Sequence, residues 1–172
     1  VFKKELDMSD DFKKFLSKQF KNKSFDYIFE LEGITGIPDC ILFEKSKKNL
    51  KYIVTLEFKL KNWKRAIEQA IKATLYSNLV FVVMDKQGIN AALKNIDDFK
   101  KRNIGLAFYG IDKKFKIHFF PEPKLPISDN YSLLLYKKLV ESNKIENSSR
   151  KYYLWNKMKK RELYYKLKKF KS

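Results

Sequence analysis

The spacing of apolar residues changes along this chain, and each change marks an element. Phe12, Phe15, Leu16 and Phe20 recur at helical spacing, with Lys13, Lys14, Lys18 and Lys21 opposite them. That predicts an amphipathic helix, with Ser9 as its cap and Asp10 and Asp11 in an acidic first turn. Residues 25–32 read as a strand ended by the turn glycines Gly33 and Gly36. Residues 40–43 and 50–60 read as two more strands, and the polar segment 44–49 between them predicts an antiparallel pair. A helical stripe returns over residues 63–75 through Trp63, Ala66, Ile67, Ala70, Ile71 and Thr74, with Asn62 placed to cap it. Residues 79–84 are apolar throughout, as in a strand covered on both faces. Residues 90–102 carry Ala91, Leu93, Ile96 and Phe99 as a further helix. Residues 104–109 and 115–120 read as a hairpin closed by 110–114.

Pro121, Pro123 and Pro126 form the clearest boundary in the chain. The expected organisation is an α/β domain over 1–120, a proline-rich connector over 121–128 and a basic, aromatic-rich helical extension over 129–172. In that extension Asp129 is the expected cap of a short helix running to Val140, and a polar linker follows. A length of 172 residues suits a single domain with an appendage.

Composition sharpens the picture at three points. Fifteen Phe and ten Tyr within a 44% hydrophobic chain supply a substantial core. A single cysteine, Cys40, excludes an intramolecular disulfide framework and a cysteine-rich zinc site, and a single histidine, His118, argues against a Ser/His triad. No apolar run reaches membrane-spanning length and no signal peptide is legible, so a cytoplasmic setting without membrane partners is the expectation; a start at Val1 allows an N-terminal trim. The net charge of +18 is the footprint of a nucleic-acid binder. Half of it falls in residues 144–172, which hold eleven Lys and Arg against two Glu. There Arg150, Lys151, Lys157, Lys159, Lys160 and Arg161 interleave with aromatics, a pattern suited to phosphate contact and base stacking, and Lys61 and Lys64 offer further phosphate contacts. The aromatics can equally pack on the domain while the lysines stay wet.

The chemistry concentrates around the third strand. Residues two apart on a strand share a face, so Glu57 and Lys59 lie side by side. Asp39 opens the second strand, and antiparallel pairing folds it back toward Glu57. Two buried carboxylates beside one lysine need a partner, and a divalent cation such as Mg²⁺, with Mn²⁺ as substitute, is the natural one. Glu30 and Glu32, two apart on the first strand, are auxiliary acidic candidates or simply an exposed acidic edge.

Pro38-Asp39, with Glu57-Phe58-Lys59 eighteen positions after Asp39, resembles the PD-(D/E)xK nuclease superfamily. The helix Trp63-Lys64-Arg65-Ala66-Ile67-Glu68-Gln69-Ala70 and the strand Leu79-Val80-Phe81-Val82-Val83-Met84 follow in that superfamily's order, so the resemblance covers roughly residues 10–120. It implies a restriction-endonuclease-like αβββαβ core with a mixed central sheet. It also implies Asp39, Glu57 and the Phe58 carbonyl at a metal ion, Lys59 at the transition state, and Gln69 facing the site from its helix. The family's first helix sometimes adds an acidic residue. Glu5 is the nearest here, but it lies ahead of the expected cap and is not given that role. A glutamine–tyrosine pair four apart, seen in some relatives, is missing, which leaves Tyr76 as core. The implied activity is Mg²⁺-dependent endonucleolytic hydrolysis of phosphodiesters, in DNA first. The alternatives are a non-catalytic nucleic-acid-binding module and a small subunit of a nucleoprotein assembly, whether as a homodimer or docked on a protein partner.

Overall fold

The computed structural model of the chain describes residues 1–19, 25–46 and 49–145. Eleven elements follow in the order α1 (Glu5–Gln19), β1 (Phe25–Phe29), β2 (Cys40–Ser46), β3 (Asn49–Lys59), α2 (Trp63–Ala73), β4 (Leu79–Met84), α3 (Ile89–Lys94), α4 (Ile96–Arg102), β5 (Gly105–Tyr109), β6 (Phe115–Phe119) and α5 (Asp129–Glu141). The strands form one mixed six-stranded sheet in sequence order. The pairs β1–β2, β2–β3 and β5–β6 are antiparallel, whereas β3–β4 and β4–β5 are parallel. Parallel neighbours cannot be joined by a tight turn, which is why α2 lies between β3 and β4, and α3 and α4 between β4 and β5.

Strand alternation divides the core into two layers. On one face Phe12, Phe15 and Leu16 of α1 pack with Leu42, Val54, Leu56, Phe58, Phe81 and Tyr109. Phe12 is the hub, with ring centroids 5.1 Å from Phe58 and 4.8 Å from Tyr109. On the other face Ala66, Ile67 and Ala70 of α2 and Phe99 of α4 cover Ile41, Ile53, Val80 and Val82. Both β3 and β4 are therefore buried on two sides, as the unbroken apolar run of β4 demands.

Five local features depart from the sequence pattern. The strand β2 runs on to Ser46, so Glu44 is a buried strand residue paired with Tyr52 and not part of a turn. The helix α1 starts a turn before the expected cap, so Ser9 lies buried inside it; Phe2 and Met8 are core residues that extend its apolar stripe backwards. The strand β1 stops at Phe29 because Glu30 turns the backbone to a left-handed φ of 50°. Glu30 and Glu32 therefore do not share a strand face, and both are exposed in the turn carrying Gly33 and Gly36 at φ of 85° and 70°. The helix expected over 90–102 is two helices broken at Asn95, whose side chain donates back to the Ala91 carbonyl at 2.8 Å. Ser128, not Asp129, caps α5, its Oγ accepting from the Tyr131 N–H.

The connector runs along the domain. Lys124, Ile127 and Ser128 donate backbone N–H bonds to the carbonyls of Asn78, Thr74 and Leu75 at the α2–β4 joint. The helix α5, at the start of the extension drawn over 129–172, buries Leu135 and Leu139 in the α2-side core. No helix among the described residues is long and apolar enough to cross a membrane.

Candidate active site

The β2–β3 register pairs Cys40 with Leu56, so Asp39 comes level with Glu57 at the end of the sheet. A backbone hydrogen bond fixes it there, the Phe58 N–H donating to Asp39 Oδ2 at 2.6 Å. Glu57 and Lys59 are 3% and 8% exposed, which is rare for charged side chains without a function or a partner. Lys59 has one partner, Glu5 Oε2 at 2.7 Å from its Nζ. Glu57 Oε2 is buried without a hydrogen-bond partner.

Asp39, Glu57 and Lys59 thus meet where adjacent strands end, as their spacing implies. Glu5 joins them because α1 begins earlier than the cap residues suggest. Its signal was present in the pattern, since Phe2 and Met8 continue the stripe and Glu5 and Asp7 make an acidic first turn. Tyr76 is also closer to the site than its sequence context indicates. It is buried beneath Glu57 and linked by its hydroxyl to Thr55, which in turn bonds Ser77 at 2.6 Å. Gln69 sits half-buried on α2, with its Oε1 lacking a partner.

The electrostatics are those of too many carboxylates for one ammonium. Burial raises Asp39, against the lowering effect of the Phe58 N–H and Lys59, and Glu5 and Glu30 push it further up. Burial also raises Glu57 to about 8, with Asp39 as the second cause and Lys59 only partly offsetting it. Tyr76 is raised as well, by burial first and then by Glu57. Among the described residues no group of three or more His, Cys, Asp and Glu side chains is arranged to hold a metal ion. The available donors are a carboxylate pair and neighbouring backbone oxygens. Hard oxygen donors with an unpartnered buried carboxylate oxygen fit Mg²⁺, which commonly takes one or two carboxylates and keeps its waters.

Lys61 and Lys64 are exposed beside this site at the start of α2, with Lys64 Nζ 5.6 Å from the Trp63 ring centroid. Arg150, Lys151, Lys157, Lys159, Lys160 and Arg161 lie outside the described residues.

No protein-family model and no curated protein matches the chain. Among solved structures it is similar to the SPO1766 protein of unknown function from Silicibacter pomeroyi, at 14% identity and a TM-score of 0.46, covering 74% of this chain and 86% of that one.

Proposed function

We propose that this chain is a metal-dependent nuclease of the PD-(D/E)xK type that hydrolyses phosphodiester bonds in DNA. In this reading α1, β1, β2, β3, α2 and β4 make up a restriction-endonuclease-like core. The observation that carries the proposal is the convergence of Asp39, Glu57 and Lys59 at adjoining strand ends, with Glu57 Oε2 buried and unpartnered. Lone polar oxygens are costly in a core, and a cation bound at Glu57 would relieve that cost.

Asp39 and Glu57, with the Phe58 carbonyl, would hold Mg²⁺ or Mn²⁺. Bound there, the ion supplies charge neutralisation at the scissile phosphate and a more acidic water. The chain's own residues do the rest. The Phe58 N–H locks the Asp39 carboxylate, so its second oxygen is oriented before substrate arrives. Glu5 accepts one hydrogen bond from Lys59 Nζ, leaving its other protons to hold the attacking water or a non-bridging phosphate oxygen as charge builds. Gln69, half-buried on α2 with an unpartnered Oε1, would turn its amide toward the same site. Lys61 and Lys64 meet the flanking phosphates, and the basic residues of 144–172 add sequence-independent affinity.

Incubation with supercoiled, linear, single-stranded and branched DNA, each with Mg²⁺, Mn²⁺ or EDTA, tests this. Metal-dependent cleavage lost in Asp39→Ala and Glu57→Ala is expected. A pure protein that binds these DNAs and cuts none of them with either ion leaves the non-catalytic binding module as the better reading.

A further inference from the structure

A second concavity lies beside this site and is not used by the chemistry above. It has a volume of about 570 Å³, within the roughly 300–1,000 Å³ typical of ligand pockets. It opens beyond the carboxyl ends of β4 and β5, where open α/β sheets habitually place ligands. Phe108 and Leu93, both half-buried, give it an apolar wall, and half-buried His118 a second flat ring. Exposed Lys86 and Asn90 stand at its mouth, and wholly buried Asp85 forms the inner boundary, with an Oδ1 that has no hydrogen-bond partner.

Its position relative to Lys59 follows from the register. Lys59 pairs with Met84 and Met84 with Phe108, so the three stand in one row across parallel strands. The Asp85 N–H donates to the Lys59 carbonyl at 3.2 Å, which fastens the two strand ends together. Adjacent strands are spaced by about 4.8 Å, so Phe108 stands roughly 10 Å from Lys59 on the same side of the sheet. That is about three times the rise of 3.4 Å per nucleotide along a duplex strand.

We propose that this cavity is a subsite for an unpaired nucleobase within about three nucleotides of the scissile phosphate, which makes the substrate DNA with an extruded or single-stranded base beside the cut. The chemistry matches a base on each side. Phe108 and the imidazole offer π faces, which stack on any base. Asn90 at the mouth meets polar base edges, and Lys86 meets the adjoining phosphate. A base that stacks on these rings has left its own helical stack, so the base received here is an unpaired or extruded one. The inference rests on the nuclease reading for DNA as the ligand and for the position of the scissile phosphate.

The test is a fluorescence titration in EDTA with two duplexes, one carrying a single unpaired 2-aminopurine and one fully paired. The wild-type protein is expected to quench the unpaired probe and to bind that duplex roughly tenfold more tightly, the scale of one base–aromatic stack. Phe108→Leu keeps an apolar side chain but removes the ring, and should erase both the quenching and the preference while binding paired DNA as before. Should Phe108→Leu not fold, Asn90→Trp at the exposed mouth blocks the cavity without disturbing the core, and the same losses are expected. A wild type with no preference, or a preference that survives either folded variant, overturns the subsite. Metal-dependent cleavage without the preference sinks the subsite and leaves the nuclease standing. The preference without cleavage does the reverse.

Discussion

Along β3, Val54, Leu56 and Phe58 pack in the α1 layer. Thr55, Glu57 and Lys59 alternate with them on the side of Ile53 and the α2 layer, Lys59 at the strand end reaching Glu5 of α1. The two sets are buried almost equally, at 0%, 3% and 1% against 0%, 3% and 8% exposure. Burial alone therefore does not separate structure from function here. On the α1 side every side chain gains by leaving water, and Phe12 and Phe15 close over them. On the α2 side the same depth costs free energy, because Glu57 Oε2 is buried without a hydrogen-bond partner and burial raises the carboxyl's pKa to about 8. One strand thus carries an apolar layer that stabilises the fold and a charged layer that is buried at a cost.

The contrast can be broken from either side. Phe12→Ala should remove about 3–5 kcal/mol of stability, as large-to-small changes at aromatic core sites do, and a chemical denaturation curve reads it directly. Lys59→Ala should lower the rate of metal-dependent cleavage by roughly 10²–10³-fold, the scale of one transition-state donor. Affinity for DNA in EDTA should stay near the parental value, since one cation among 38 basic residues adds little. Cleavage at the parental rate would reduce Lys59 to half of an ion pair with Glu5.

A smaller effect concerns pH. The Glu57 carboxyl, ordinarily near 4.5, is raised to about 8, so the folded state retains a proton that the unfolded chain has released. The stability from this group is full below about 4.5 and is lost as pH rises through about 8. Melting temperatures of the metal-free protein should fall across that window, and Glu57→Gln should flatten the fall and melt higher at pH 8. Mn²⁺ should stabilise the parental protein but not Asp39→Ala. A parental profile as flat as that of Glu57→Gln would mean that Glu57 finds a partner in solution. The smallest change expected in the fold itself comes from truncation after Ile145, which removes ten Lys and Arg with two Glu. The log–log salt dependence of DNA binding should become shallower by about 0.9 for each phosphate that the shortened chain leaves unneutralised. An unchanged slope would reassign those residues to packing or to a protein partner.

The sheet was legible because its strands carry strong, short-range signals. Residues 79–84 read as a doubly covered strand, and the polar run 44–49 signalled an antiparallel pair that brings Asp39 to Glu57, although 44–46 are strand and not turn. What escaped the sequence depended on backbone detail or on distant partners. The end of β1 hangs on one left-handed residue, Glu30, a conformation that a glutamate's identity does not announce. Ser9-Asp10-Asp11 is a good cap in isolation, but burial of Phe2 against Tyr109 pulls the helix start back to Glu5. Tyr76 reads as ordinary core because its relation to Glu57 runs through the β3–α2 packing and not through any spacing along the chain.

The fastening of α1 has a consequence for how the protein is made. Its position is set by Phe2 bonded to Asp85 and Gln87, by Asp11 bonded to Tyr109 at 2.7 Å, and by Glu5 on Lys59. Tyr109 follows Asp11 by 98 residues. At about 5–20 residues per second a ribosome needs roughly 5–20 s to cover that distance. Leu42, Leu56 and Phe58 emerge within that interval, but Tyr109 comes last, so the apolar stripe of α1 is fully covered only when β5 has been made.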